Sequence, residues 1–362
     1  MASNERRILE LFSGIGGMHS ALLCKLYSCF HKPLTICEVM VTFSVSKIPG
    51  SIIAAADINT VANAVYKHNH PDVKLLTTNI QAMTPAFIDK LNVDTILMSP
   101  PCQPFTRVGK QMDVADNRSD AFVHLCKIIK ELKNVNAILM ENVKGFETSM
   151  ARDLYIKALQ EAKYEYQEFL LSPSQIGVPN TRYRYYCLAR KCVKFTFKQN
   201  EILLDFPSEK VFPKIPTIME FLKFDDETNY TLLSDNLLEK RAKVLDIVCA
   251  ESRNTSCFTK AYTHYTEGTG SVYCPSYTKD YVNSVFGNNK ILDTGEGANK
   301  LELLKTLQLR YFTPYEVSQL MCFPIELFSF PAETTTKQKY RLLGNSINCL
   351  LVSELIKLLF NE

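Results

Sequence analysis

The sequence predicts an α/β fold, a doubly wound and mostly parallel sheet joined to a second, smaller domain. Two observations carry that prediction. Through the first half of the chain, short apolar runs alternate with stretches of helical spacing, the pattern of parallel strands linked by helices. From Lys191 to Lys305 the alternation stops, and a mixed stretch rich in Thr, Tyr, Asn and Ser takes over. A third observation bears on chemistry. The polar residues of interest follow the apolar runs, and sheets of this kind bind ligands at the carboxyl ends of their strands.

Taken in order, Arg7–Phe12 reads as a strand, Ser13–Gly17 as a loop, and a helix starts near Met18. Ile52–Asp57 is a second strand ending in an acid, followed by helical spacing over Thr60–His68. Thr95–Met98 and Ala137–Met140 are buried-strand candidates, with a helical stretch over Ala121–Leu132 between them. Thr313-Pro314-Tyr315-Glu316 is a capping box with proline at the first helical position. Ser346–Leu359 reads as an amphipathic helix. The expected organisation is residues 1–190 as one domain, 191–305 as the smaller one, and 306–362 returning to the first.

Apolar residues make up 46% and charged residues 22%, which excludes a disordered chain, a collagen and a coiled-coil rod. No apolar run approaches the roughly 20 residues that span a bilayer. The longest, Leu34–Val45, is interrupted by Glu38. Lys and Arg number 41 against 38 acids, so any nucleic acid must be held by a local patch rather than by the overall field. None of the 12 cysteines shows C-x-x-C spacing, so no metal site is expected. The thiols are expected reduced and mostly buried, in a cytoplasmic protein with a nuclear share.

Four segments carry chemistry. The loop Phe12-Ser13-Gly14-Ile15-Gly16-Gly17 lets backbone approach a nucleotide-like ligand. The dinucleotide fingerprint would need glycine where His19 stands, which disfavours a nicotinamide oxidoreductase. Asp57 either accepts ribose hydroxyls or caps the helix after it. Ser99-Pro100-Pro101-Cys102-Gln103-Pro104 is a proline-stiffened loop past a strand, where Cys102 is either a nucleophile or a structural thiol. Glu141, at another strand end on that edge, is a surface acid taken alone and a proton donor taken with Cys102. Arg182 and Arg184, two apart, would share one face of a strand, set to hold a phosphate or a carbonyl oxygen, or else merely solvated.

Together these motifs resemble the cytosine-5 methyltransferases. The ordered series is Phe12–Gly17, Asp57, Pro100-Pro101-Cys102-Gln103, Glu141-Asn142-Val143, Arg182/Arg184 and Gly344-Asn345-Ser346, with a variable domain before the last. Cys257-Phe258-Thr259-Lys260 and Glu267-Gly268-Thr269-Gly270-Ser271 are similar to the signature of the family's eukaryotic tRNA-aspartate branch. The resemblance implies a Rossmann-like class I methyltransferase fold whose smaller domain recognises the target. It implies S-adenosyl-L-methionine as cofactor, surrounded by Phe12, Ser13, Gly14, Ile15, Gly16, Gly17, Asp57, Ile58, Asn79, Ile80, Ser99, Asn345 and Ser346. Many members carry an acid where this chain has Asn79, which leaves Asn79 for the adenine amine. Cys102 is implied as the nucleophile at carbon-6 of a flipped cytosine, and Glu141 as the group that protonates ring nitrogen 3. Arg184, with Arg182, is implied as the donor to the ring oxygen. Gln103, Asn142, Cys257, Phe258 and Thr259 are implied at the substrate. The implied partner is tRNA, with cytosine 38 of tRNA-Asp as target, DNA as a weaker partner, no membrane and a monomeric state. The run Arg182–Lys191 and the cluster Lys337, Lys339 and Arg341 are candidate tRNA surfaces, the cluster being otherwise a solvated face. The alternatives are DNA as the main substrate, or a catalytically silent nucleic-acid-binding protein.

Between the first helix and the second strand the family has a short turn, whereas this chain has about 21 extra residues, Cys24–Ser44, where connections usually run about 4–6. The codons open to Cys24-Lys25-Leu26 contain an intron start, and those open to Phe43-Ser44-Val45 contain an intron end in the same frame. The segment is therefore expected to be a retained intron. Peptides from Leu34 to Lys47 in the native protein would sink that expectation.

Overall fold

The computed structural model describes residues 5–23, 50–101, 120–207, 211–223, 230–265, 267–287 and 297–360. Cys102, Gln103 and the segment 24–44 lie outside the described residues.

Seven strands form the main sheet: β1 (Arg6–Leu11), β2 (Gly50–Ala56), β3 (Lys74–Leu76), β4 (Thr95–Met98), β5 (Ala137–Val143), β6 (Glu165–Leu171) and β7 (Arg184–Arg190). Their order is β3-β2-β1-β4-β5-β7-β6. β1 pairs in parallel with β2 on one side and β4 on the other, so the winding reverses between β1 and β4. β7 runs antiparallel between β5 and β6. It therefore starts at the edge where β5 ends, with Val143 opposite Arg184 and Glu141 opposite Tyr186.

The strands are apolar on both faces because both faces are covered. Ile8, Ala55, Leu97 and Leu139 enter one core cluster, with α1 (Gly17–Leu23) and α2 (Thr60–Asn69). Their neighbours Leu9, Ala54, Ile96 and Ile138 enter a second. Behind the second lie α3 (Pro85–Lys90), α4 (Asp120–Ile128) and α5 (Met150–Glu161), through Ile88, Phe122 and Tyr155. The helical stretch expected to reach Leu132 turns 3-10 at Ile129.

After β7 the chain first adds to the large core through Phe195 and through Ile218 and Phe221 of α6 (Ile218–Phe221). A third cluster then gathers residues from Leu233 to Leu309. It holds α7 (Asp235–Arg241), α8 (Lys279–Gly287), α9 (Gly297–Thr306) and a small sheet ordered β10-β9-β8. The strands are β8 (Ile247–Cys249), β9 (Val272–Cys274) and β10 (Arg310–Tyr311). This small core begins later than residue 191 and closes after residue 305.

Three helices follow: α10 (Pro314–Leu320), α11 (Thr336–Gly344) and α12 (Cys349–Phe360). The capping box is present, with the Glu316 amide donating to Thr313 Oγ1 at 3.2 Å and the Thr313 amide to Glu316 Oε2 at 2.8 Å. Glu316 also accepts two bonds from the buried Arg310 guanidinium at 2.8 and 2.7 Å. The stretch Thr336–Phe360 has the length and apolarity to cross a membrane, yet 72% of its apolar window is buried within the protein. α12 packs on α1.

Candidate active site

A cleft of about 560 Å³ opens at the carboxyl edge of the main sheet, between the ends of β1, β2, β4 and β5 and the start of β7. Its cofactor half is built from the β1–α1 loop. The chain turns there through Phe12 (φ 53), Gly14 (φ 54) and Gly16 (φ 83), a left-handed path that favours glycine. A side chain at Gly14 would meet nothing within 4 Å, which leaves that face of the loop open. Gly16 does not line the cleft. A side chain there would press on His70 at 3.1 Å and Tyr66 at 3.2 Å, so this glycine serves packing.

Asp57 ties the loop to the end of β2. Its Oδ2 accepts from the Gly14 amide at 2.9 Å and its Oδ1 from the Asn59 amide at 2.8 Å. It is Asn59 that caps α2, accepting from the Val61 and Ala62 amides at 3.1 and 3.2 Å. Asp57 is thus free of capping, and the remaining lone pairs of its carboxylate serve the cleft it lines. Phe12, Ser13, Ile15, Gly17, Ile58, Asn79, Ile80, Ser99, Asn345 and Ser346 line the same cleft. Asn79 Oδ1 accepts from the Gln81 amide at 3.1 Å, which fixes the turn after β3.

Four buried polar atoms of the lining lack a partner among the described residues: Glu10 Oε1, Ser13 Oγ, Asn142 Nδ2 and Arg182 Nε. Orphaned buried groups cost stability unless a ligand or water completes them, so these residues fit a polar, nucleoside-bearing cofactor. Glu10 went unremarked in the sequence, although an acid inside the apolar run Ile8-Leu9-Glu10-Leu11 was the signal. Its Oε2 accepts from Tyr66 Oη at 2.8 Å. Tyr66 Oη also lies 3.1 Å from His19 Nδ1, and the His19 ring stacks on His70 at 3.6 Å. Burial pushes the Glu10 carboxyl up to about 8 and the imidazoles down, His19 to about 3 and His70 to about 4.

In the other half of the cleft, Glu141 meets Arg184, with Nε 3.5 Å from Oε1 and the two side chains 10% and 14% exposed. Burial raises the Glu141 carboxyl above its ordinary range, and Arg184, Arg182 and a hydrogen bond from Ser99 offset this only in part. Asn142 lies beside it, its Oδ1 accepting from the Val143 amide at 2.8 Å.

The arginines do not share a strand. β7 begins at Arg184, and Arg182 precedes it because its amide donates to Ser172 Oγ at 3.0 Å instead of to a ladder. The guanidinium groups converge all the same, both on Cys257. Arg182 is 2% exposed. It donates from Nη1 to the Phe258 carbonyl at 2.8 Å, and from Nη2 to the carbonyls of Gly344 at 3.1 Å and of Ser346. Four of its five N–H donors point at protein, and only Nε is left unpaired. Arg182 is therefore a brace in this arrangement, and Arg184 is the arginine set against Glu141.

Phe258 is a second correction. It is 1% exposed and packs edge-on against Tyr262 and Phe312 at 5.0 and 5.5 Å, so its ring belongs to the core and its carbonyl to Arg182. Thr259 contributes backbone, pressed so close to Gly344 that a side chain at Gly344 would sit 2.1 Å from its carbonyl carbon. Of the run Arg182–Lys191, only Tyr183 and Lys191 and part of Arg184 reach the surface, because Tyr185–Arg190 is buried strand. Tyr183 stands 40% exposed, with Lys144 Nζ 5.4 Å from its ring centre. Lys337 and Arg341 are exposed and Lys339 is half-buried. Lys260, the last residue of the signature Cys257-Phe258-Thr259-Lys260, lines the cleft, although the sequence assigned it no place at the site.

Comparison with known proteins bears on this arrangement. The profile of the C-5 cytosine-specific DNA methylases matches residues 6–361. A Spodoptera frugiperda protein described as tRNA (cytosine(38)-C(5))-methyltransferase is 47% identical, covering 98% of this chain and 99% of its own. The Homo sapiens protein of the same description is 38% identical, covering 98% and 99%. The crystal structure of a Spodoptera frugiperda DNMT2 mutant superposes with a TM-score of 0.83 at 46% identity, over 98% of this chain and all of the other.

Proposed function

The chain belongs to the C-5 cytosine-specific DNA methylase family, and we propose that it methylates carbon-5 of cytosine 38 in tRNA-Asp through a cysteine adduct. It is an enzyme that uses S-adenosyl-L-methionine. The observation that carries the proposal is the largely buried Glu141–Arg184 pair on the same sheet edge as the glycine loop and Asp57. Relatives named for cytosine 38 of tRNA, alike over nearly the whole chain, support the choice of substrate.

Asp57 would accept the ribose hydroxyls, Asn79 would meet the adenine amine, and the loop from Phe12 to Gly17 would enclose the rest. Bound there, the cofactor would supply the methyl group that carbon-5 takes up, after which loss of the carbon-5 proton breaks the Cys102 bond to carbon-6 and frees the methylated base. The target base must leave its stack to reach the cleft. Cys102, next in the chain after Pro101, attacks carbon-6 as thiolate. That attack pushes electrons toward ring nitrogen 3 and the ring oxygen. Glu141, whose carboxyl burial holds above its ordinary range, gives its proton to nitrogen 3, and Arg184 donates to the oxygen. Tyr183, with Lys144 over its ring, offers a face on which a neighbouring unpaired base stacks.

The test offers total tRNA and duplex DNA side by side with methyl-labelled S-adenosyl-L-methionine, using Cys102→Ala as control. Label is expected in tRNA, at cytosine 38 of tRNA-Asp, and absent with Cys102→Ala. Label in DNA alone would overturn the substrate, and label that survives Cys102→Ala would overturn the nucleophile.

A further inference from the structure

The mechanism above leaves Cys257 without a task. Its Sγ lies 3.3 Å from Arg182 Nη1 and 3.7 Å from Arg184 Nη2, so two guanidinium groups face one sulfur, which also has the Phe258 carbonyl oxygen at 3.7 Å. Arg184 turns its Nε to Glu141 at 3.5 Å. Glu141 is 7% and Arg182 2% exposed, so these charges act on one another with little water between them. Two guanidinium groups facing a single carboxylate oppose its protonation, against the rise that burial gives it. With a neutral thiol in the set, protonating Glu141 leaves two uncompensated positive charges. With a thiolate it leaves one.

We propose that Cys257 stands as a thiolate between Arg182 and Arg184, and that this counter-charge lets Glu141 carry its proton beside them. Cys257 is then a positioning residue for the charge balance of the site, not a second nucleophile. The inference rests on the reading of Glu141 as proton donor. Burial alone would push the Cys257 thiol up, and the two arginines outweigh burial and hold it below the ordinary thiol range. Burial likewise works against the charge on Arg184, and Cys257 with Glu141 outweighs it. The other titratable group against this set is the Tyr186 phenol, which burial keeps neutral. Lys260 lines the same cleft as an exposed ammonium, and Ser99 meets Glu141 through its hydroxyl.

Two measurements test this on the full-length enzyme. The first is kcat for tRNA methylation from about pH 6 to about 9.5 in the parent, Cys257→Ser and Cys257→Asp. In Cys257→Ser the alkaline limb is expected to move about one unit toward acid, because two guanidinium groups now favour the Glu141 carboxylate. Cys257→Asp restores the negative charge and is expected to move the limb back, with KM for the cofactor unchanged in both. The second is the ultraviolet thiolate absorbance of the parent minus that of Cys257→Ser or Cys257→Ala at neutral pH, expected to show one thiolate. Absence of that thiolate overturns the inference whatever happens to catalysis. An alkaline limb that stays in place in a Cys257→Ser protein of unchanged melting temperature overturns it too. A parent that methylates no nucleic acid overturns the proposed function instead, and the absorbance still decides the state of Cys257.

Discussion

Glu141 and Glu10 are both buried carboxyls held above their ordinary range, and they respond to pH for different reasons. On the proposed mechanism Glu141 works in its protonated form, so activity is expected to fall as pH rises through its value. Glu141→Gln, which keeps the shape and loses the transferable proton, is expected to lower kcat by about 100-fold or more at unchanged melting temperature. Single-turnover methylation checks it. Glu10 bears on stability. Its folded value of about 8 lies above the ordinary 4.5, so the stability it contributes is whole below 4.5 and is lost as pH rises through about 8. His19 and His70, depressed to about 3 and about 4, contribute fully above 6.5 and lose stability as pH falls through those values. Between pH 6.5 and 8 the stability of this cluster therefore changes through Glu10 alone. Calorimetry is expected to show a melting temperature that falls over that interval, and Glu10→Gln is expected to flatten the fall.

At the scale of elements, the site is a knot of chain segments distant in sequence. The end of α11 meets the loop before β9 so closely that Gly344→Ala has no room, its new carbon falling 2.1 Å from Thr259 and 2.2 Å from the Lys260 amide. Neither neighbour is a side chain that can turn aside. Thermal denaturation is expected to show a loss of about 3 kcal/mol, the upper end of ordinary overpacking. Arg182→Lys keeps the charge but cannot span the carbonyls of Phe258, Gly344 and Ser346. It is expected to cost about 2 kcal/mol of stability and to lower kcat/KM with it, measured by denaturant titration and initial rates. The sequence disclosed the sheet edge well, because fully buried strands such as Thr95–Met98 read as unbroken apolar runs and their ends are marked by Asp57 and Glu141. It disclosed less where backbone contacts decide the outcome. Arg182 and Arg184 have the spacing of one strand face, and only the bond from the Arg182 amide to Ser172 reveals that the strand starts late. Phe258 sits in a signature, but its burial depends on Tyr262 and Phe312, partners that no local pattern announces.

Across the whole molecule, the two layers over the main sheet and the small third core differ in depth. β8 and β9 have three residues each and β10 two, too short for alternation to be read from sequence and too short to resist local opening. That is why composition put the smaller unit at residues 191–305 while its core gathers from Leu233 to Leu309. Hydrogen exchange is expected to be slowest in β1, β4 and β5 and distinctly faster in β8 to β10. Equal protection of the two sheets would contradict that ranking. The brace at Arg182 also has a consequence for synthesis. A ribosome delivers the glycine loop, Asp57 and Glu141 early, and the main sheet can gather while later segments are still being translated. The carbonyls that steady Arg182, at Phe258, Gly344 and Ser346, emerge much later, as does α12, which seals α1 from behind. Nascent chains would thus hold the acid before they hold the frame that aims its partner, and a product truncated before Gly344 is expected to lack methyl transfer.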